Sequence, residues 1–359
     1  RVSCARFGRN NMKKILELLL TLCMLAALAA CGTEPAVTEP TGDTTTEPAV
    51  STEDTTASTE PERTPASYSV ATLKGPTGMG LASLMDKAAK GETANTYAFT
   101  LAGDPTAVSA SVIKGEVDIA CVPVNLASVL YTKTNGAYVC VAVNTLGVLH
   151  ILENGNSVQS IADLEGKTLY ATGLGATPEY ILNYILEKNG LTGKVTVEYK
   201  TEHSELAALL ASGDVKLAML PEPNVTSAMM QNSDLRLALD LTAEWGKVSD
   251  TSAVQGCVIV KKAAIEANPD AFADFLADYA ASVEFVNANV EDAAAFCETY
   301  GIVPKAAVAM RAYPNCNIVF VTGAEMKASL SAFLGVLYDA NPASIGGALP
   351  ADDFYYGAE

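Results

Sequence analysis

Side chains suited to covalent or metal chemistry are few in this chain. There are two histidines, His150 and His203. Neither has a Cys, Asp or His at the spacing of a zinc site or a catalytic triad. His150 reads as a packed strand histidine, with a place beside a cleft as the alternative. His203, at an acidic helix start, reads as solvated. Cys121, Cys140, Cys257, Cys297 and Cys316 form no close pair; they read as buried free thiols, with one Cys297–Cys316 disulfide as the alternative. No catalytic residue, metal ligand or cofactor is therefore assigned, and recognition falls to the backbone. The stretch Lys167 to Lys188, KTLYATGLGATPEYILNYILEK, reads as strand, glycine-bearing turn and helix without a gap. Thr177 suits an N-cap and Pro178 the first helical position. Such a turn aims unpaired N–H groups and the positive helix end at one point, which suits a carboxylate, sulfonate, phosphate or polar carbonyl.

An echo of this unit lies 98 residues upstream. GEVDIACVP repeats as GDVKLAMLP, matching Gly115, Val117, Ala120 and Pro123 to Gly213, Val215, Ala218 and Pro221, and Gly75 matches Gly173 at the same offset. Each copy reads strand, Gly loop, helix, strand, helix, then a Gly-led strand ending in proline. Two similar α/β lobes account for this, since the period is too long and the copies too few for a solenoid. Ligands of open α/β sheets bind at the carboxyl ends of strands, so Pro123 to Asn125 and Pro221 to Asn224 share a rim with the Gly loops. Asn125 and Asn224 serve equally well as helix caps. Lys74 to Gly80, KGPTGMG, is not the dinucleotide fingerprint.

The 359 residues carry a formal charge of −18. Arg1, Arg6, Arg9, Lys13 and Lys14 against Glu17 make residues 1–30 net +4, so the remainder carries −22. Such a balance argues against a nucleic-acid partner, which needs a basic stripe. Residues 12–31 have a charged start, a short apolar run and a small-residue end; Leu28, Ala29, Ala30 and Cys31 resemble a bacterial lipobox, which implies lipidation at Cys31. Residues 1–31 are thus expected to be a lipoprotein signal peptide, with 1–11 a gene-model overrun before the first Met. Residues 32–67, rich in Thr, Glu, Pro, Ser and Ala, cannot bury enough apolar area to fold and are expected to form an acidic tether.

The remaining organisation is expected to be one lobe over 68–146 and 256–359 and another over 147–255. Tyr138 to Val143 and Val148 to Leu152 read as one strand passing between lobes, with a return at Ser252 to Val260, which makes a two-strand hinge of the kind that closes around a ligand. Asn268 and Pro269 open a helix with Phe272, Phe275, Tyr279 and Val283 on its apolar face. Trp245 reads as a packing residue, with the cleft rim as the alternative, and Phe354 to Tyr356 as a docked tail.

Lipobox, tether, LKGPTGMG, GEVDIACVPVN, ATGLGATPEYILNYIL and AMLPEPNVT together resemble bacterial ABC-transporter substrate-binding lipoproteins. Within these the chain is similar to the nitrate, taurine and aliphatic-sulfonate binders and the thiamine-pyrimidine-precursor proteins. The resemblance implies a type II periplasmic-binding-protein fold, two five-stranded α/β lobes on a hinge, without enzymatic activity. It implies ligand contacts at Thr77, Gly78, Met79 and Gly80; at Pro123 and Asn125; at Gly175, Ala176 and Thr177; and at Glu222 and Asn224. Thr145, on the crossing segment, and Thr172, opening the second turn, complete the candidate set. Glu222 departs from a pure anion site, since its carboxylate repels an anion and suits an amine or ring N–H. The implied role is capture of a small polar solute, an organic anion, zwitterion or heterocycle. Delivery is to an ABC permease, by a monomer anchored to the outer face of the cytoplasmic membrane. The alternatives are an enzyme of the same fold or a ligand-sensing module.

Overall fold

The computed structural model describes residues 64–358. The expected signal peptide, Cys31 and residues 32–63 of the expected tether lie outside the described residues. The last four tether residues belong to the folded body. Asn268 Nδ2 donates to the Thr64 carbonyl at 2.7 Å, Ala66 N–H donates to Asn95 Oδ1 at 2.9 Å, and Ser67 opens the first strand. The composition of 32–67 is uniform, so only these partners, 29 and 204 residues away, show that the residues from Thr64 on are part of the folded body.

The chain starts with β1 (Ser67–Leu73), α1 (Pro76–Met79), α2 (Ala82–Lys90), β2 (Thr96–Ala102), α3 (Pro105–Lys114), β3 (Ile119–Pro123), α4 (Val124–Lys133) and β4 (Tyr138–Leu146). A second sheet follows, with β5 (Leu149–Asn154), β6 (Thr168–Thr172), α5 (Thr177–Lys188), β7 (Thr196–Lys200) and α6 (His203–Ser212). It is completed by β8 (Leu217–Pro221), α7 (Asn224–Gln231), β9 (Leu235–Asp240) and α8 (Leu241–Gly246). The chain then returns along β10 (Val254–Lys261) to α9 (Lys262–Ala267), α10 (Pro269–Ala288), α11 (Val290–Thr299), α12 (Ala306–Ala312), β11 (Ile318–Val321) and α13 (Gly323–Ala340).

The sheets run β11-β4-β10-β3-β1-β2 and β7-β6-β8-β5-β9. They share one plan. In each, the first two strands of the repeat pair in parallel, and one strand, β10 or β5, runs antiparallel between its neighbours. The 98-residue echo is thus a structural repeat, with β3 and β8 ending at Pro123 and Pro221. The first sheet has six strands rather than the five that the resemblance implies, because β11 adds antiparallel to the outer side of β4. The segment expected as one crossing strand is two, β4 and β5, separated at Gly147 and Val148. There the backbone runs against Thr242, whose Oγ1 would lie 2.0 Å from any Cβ at Gly147. Only glycine fits, and the strand breaks as it changes sheet.

The apolar face predicted for α10 is the centre of a core: Phe272, Phe275 and Tyr279 are fully buried, and Phe275 lies 6.3 Å from the ring of Tyr68 on β1. Each such ring contributes roughly 1.5–3 kcal/mol on burial. Trp245 is 1 % exposed, donates Nε1–H to the Thr251 carbonyl at 2.7 Å, and packs at 4.8 Å from Tyr184 of α5 and 5.1 Å from Phe333 of α13. It is a packing residue joining the two halves of the molecule. At the C-terminal end Phe354 and Tyr355 are buried and Tyr356 N–H donates to the Cys140 carbonyl. The five cysteines of the described residues are free and buried.

Candidate functional site

The rims of the two sheets face each other across a cleft, which has two connected chambers. The inner chamber, about 120 Å³, lies against the hinge strands. From the first lobe it takes Lys74 and Thr77, after β1, Pro123 at the end of β3, and Thr145 on β4. From the second it takes Thr177 at the start of α5, His203 at the start of α6, and Glu222 and Asn224 after β8, with Gln255 on the returning strand. The outer chamber, about 490 Å³, extends away from the hinge between Asp104 to Thr106 on one side and Ala176 and Tyr199 to His203 on the other. Leu73, Lys74, Pro123, Pro178 and His203 border both.

Of the residues expected at a ligand, Thr77, Pro123, Thr145, Thr177, Glu222 and Asn224 border the inner chamber and Ala176 the outer one. Gly78, Met79 and Gly80 do not. The sequence KGPTGMG reads as an open loop, but Pro76–Met79 is a helical turn that carries Met79 into the core, where it is 0 % exposed and its carbonyl accepts from Tyr313 Oη at 3.1 Å. A Cβ at Gly78 would stand 2.5 Å from the Leu73 carbonyl oxygen. That glycine serves close packing, not ligand access.

Asn125 and Thr172 are buried behind the walls, and Gly175 is exposed but borders neither chamber. Asn125, buried in the first turn of α4, reaches across between lobes: its Oδ1 accepts from Thr177 Oγ1 at 2.9 Å, and its Nδ2 donates to the Gly175 carbonyl at 3.4 Å and the Ser344 carbonyl at 3.3 Å. It is neither a helix cap nor a wall of a chamber. Asn224, the other residue that suits a cap, is the first residue of its helix. Thr177 lies one position inside α5, with Ala176 at the cap position, so its hydroxyl is not the cap expected of it. The turn's N–H groups are also partly spent. Gly175 N–H donates to Glu179 Oε2 at 2.6 Å and Ala176 N–H to the Gly173 carbonyl at 3.0 Å. Glu179, in the first helical turn, reaches back as the third residue of a capping box does, and takes a donor that the spacing alone leaves for a ligand.

His203 is not the solvated side chain expected. It borders the cleft with Nδ1 2.6 Å from Thr172 Oγ1, a hydroxyl with no exposure, and burial lowers its pKa to about 4. The ring is therefore neutral at pH 7. His150 is a packed strand histidine: it is 8 % exposed on β5, 4.0 Å from Asp240 Oδ1, and burial lowers its pKa.

Glu222 is 2 % exposed. Its carboxylate accepts from Thr226 N–H at 3.1 Å, from Thr226 Oγ1 at 3.0 Å and from the side chain of Asn315. Desolvation raises its pKa, and these bonds offset only part of the rise. All three partners are neutral. Glu222 borders the chamber, and a buried carboxylate whose partners among the described residues are neutral donors suits an N–H or ammonium group.

Two wall residues were legible but unread. Tyr199 is the penultimate residue of β7, close to the rim that the ends of β3 and β8 form, and Gln255 interrupts the apolar run of β10 with a long polar side chain.

The NMT1/THI5-like family model matches residues 98–293. No curated protein matches the chain in sequence. Among solved structures, an ABC transporter protein from Parabacteroides distasonis is 24 % identical, with a TM-score of 0.67 over 80 % of this chain and 98 % of its own. The periplasmic aliphatic sulphonate binding protein SsuA from Escherichia coli is 16 % identical, with a TM-score of 0.65 over 82 % of this chain and 94 % of its own. The alkanesulfonate-binding protein SsuA from Xanthomonas axonopodis pv. citri, bound to MOPS, is 14 % identical, with a TM-score of 0.60 over 80 % and 95 %. These likenesses extend to the arrangement of two α/β lobes. The chain belongs to the NMT1/THI5-like family and has the two-lobed type II fold of periplasmic binding proteins.

Proposed function

We propose that this chain is the solute-binding component of an ABC importer, capturing a small polar solute between its lobes and passing it to a permease. The observation that carries the reading is Glu222, a buried residue on the wall of an interlobe chamber whose carboxylate is bonded, among the described residues, by neutral donors. It favours a solute that presents an amine or N–H group over a simple anion. The net charge of −18 points the same way, since the field of the whole protein opposes anion approach. The similar structures, described as ABC-transporter and sulfonate-binding proteins, support a binding role rather than an enzymatic one. We place Cys31 as the lipid attachment point, holding a monomeric head at the outer face of the cytoplasmic membrane, and we assign Thr77, Thr145, Thr177 and Asn224 to the solute-facing wall beside Glu222.

The test is retention of a solute from a low-molecular-weight cell extract. The protein is incubated with the extract, washed and denatured, and the released molecules are identified by mass spectrometry. One enriched amine-bearing or N–H-bearing species, lost in Glu222→Ala, is the expected result. Retention of nothing by the wild-type protein would overturn the solute-binding reading.

A further inference from the structure

The inner chamber, at about 120 Å³, is smaller than the roughly 300–1,000 Å³ of ordinary ligand pockets, whereas the outer one, at about 490 Å³, falls within that range. They share five wall residues, so a molecule seated on Glu222 has open space ahead of it, past His203. We infer that Tyr199 and His203 form an outer subsite that holds the far end of an elongated solute through a hydrogen-bond acceptor such as a carboxylate, and so select for length. This rests on the solute-binding reading above and extends it.

Three features of the outer chamber carry the inference. The hydroxyl of Tyr199, a residue that lines the chamber, is buried and has no hydrogen-bond partner among the described residues, and an orphaned buried hydroxyl calls for a ligand or water. His203 has Nδ1 engaged by the Thr172 hydroxyl, which leaves Nε2 for the cleft. When Thr172 donates, Nε2 carries the proton, so Tyr199 and His203 both present donors. The flanking charges are mixed. Lys74 and Lys200 border the chamber with Asp104 and Glu202, but the Asp104 carboxylate is occupied by Thr106 N–H at 2.7 Å, in the cap of α3. Gln255, which lines the inner chamber as Glu222 does, has a buried side-chain nitrogen without a partner among the described residues, and the amide turned about its last bond would offer an ammonium a carbonyl oxygen. Donor end inside and acceptor end outside therefore fit one molecule lying along the cleft.

Calorimetry on the full chain with a series of ω-amino carboxylates tests this: glycine, 4-aminobutanoate, 6-aminohexanoate and 8-aminooctanoate, each against the alkylamine of matched length. The wild-type protein should bind a longer member at least about 10-fold more tightly than glycine and than its matched amine, the scale of one charge-assisted hydrogen bond. Tyr199→Phe keeps the ring and removes the hydroxyl. It should erase most of the preference for the carboxylate over the amine while leaving amine binding unchanged, and His203→Asn should weaken the same preference. Tightest binding of glycine, a carboxylate preference that survives both substitutions, or no binding by any member would each overturn the outer subsite. A short solute retained from the extract equally by wild type and Tyr199→Phe would remove the subsite and leave the solute-binding reading standing. An empty protein after extract incubation would remove solute binding itself.

Discussion

Asn125→Ala is the substitution expected to act most directly on lobe closure. The Asn125 side chain joins the lobes through a buried 2.9 Å bond from Thr177 Oγ1 and a longer 3.4 Å bond to the Gly175 carbonyl, while its bond to Ser344 stays within the first lobe. Only the first two break when the lobes part. A neutral hydrogen bond contributes about 0.5–1.5 kcal/mol net, and a buried hydroxyl left alone costs about 1–3 kcal/mol. In the closed form of Asn125→Ala, Thr177 Oγ1 is buried without that partner; in the open form water reaches it. The substitution should therefore shift the equilibrium toward the open form by about 1–3 kcal/mol, or roughly 5- to 150-fold. Single-molecule energy transfer between dyes on Ala110→Cys and Glu187→Cys, exposed positions on α3 and α5, reads the closed fraction. The five native thiols of a chain beginning at Thr64 are buried and resist labelling. Thr177→Val and the double variant complete a thermodynamic cycle. Strictly additive effects on the closed fraction would refute the claim that these two side chains latch the lobes through each other.

A chain beginning at Thr64 should melt as the full chain does, whereas one beginning at Ser69 loses two strand residues, the buried Tyr68 ring among them, and the Ala66 bond to buried Asn95; its melting temperature should fall by several degrees or more, since the ring alone contributes roughly 1.5–3 kcal/mol. Acid should act through His203. Its folded pKa of about 4 lies below the unfolded value near 6.5, so stability is complete above about pH 6.5 and declines as the pH falls toward 4. Glu222 runs the other way. Its raised pKa makes the folded state take up the proton first, so its contribution is present at low pH and lost as the pH rises through the folded pKa. Denaturant melts across pH 4–7 should therefore flatten in His203→Gln and steepen in Glu222→Gln, which should also be more stable than wild type at pH 7. Gly147→Ala places a methyl 2.0 Å from Thr242 Oγ1 and should destabilise by about 1–3 kcal/mol, with partial rescue by Thr242→Gly in the same denaturant assay.

Much of the architecture was legible in local pattern. Apolar runs of strand length identified β3 and β8, and Asp104 and Asn268 are the helix caps that their side chains suit, each accepting from an N–H of the turn it precedes. The internal repeat announced two lobes of one plan before any coordinate, because strand order follows from the order of elements when connections are short. The rim rule, likewise a consequence of chain direction, led to Pro123, Glu222 and Asn224, and it would have led to Tyr199 had it been applied to β7.

What the pattern did not carry is the use to which each rim residue is put. Glu179 takes the Gly175 N–H, Asn125 and Thr177 take each other across 52 residues, Met79 turns inward, and Thr172 engages Nδ1 of a His203 that burial keeps neutral. A residue's period and propensity report the face on which it stands within its own element. Whether a polar group there remains open to a solute depends on what other segments, in its own lobe or the opposing one, bring within about 3 Å, and that is decided largely by tertiary packing.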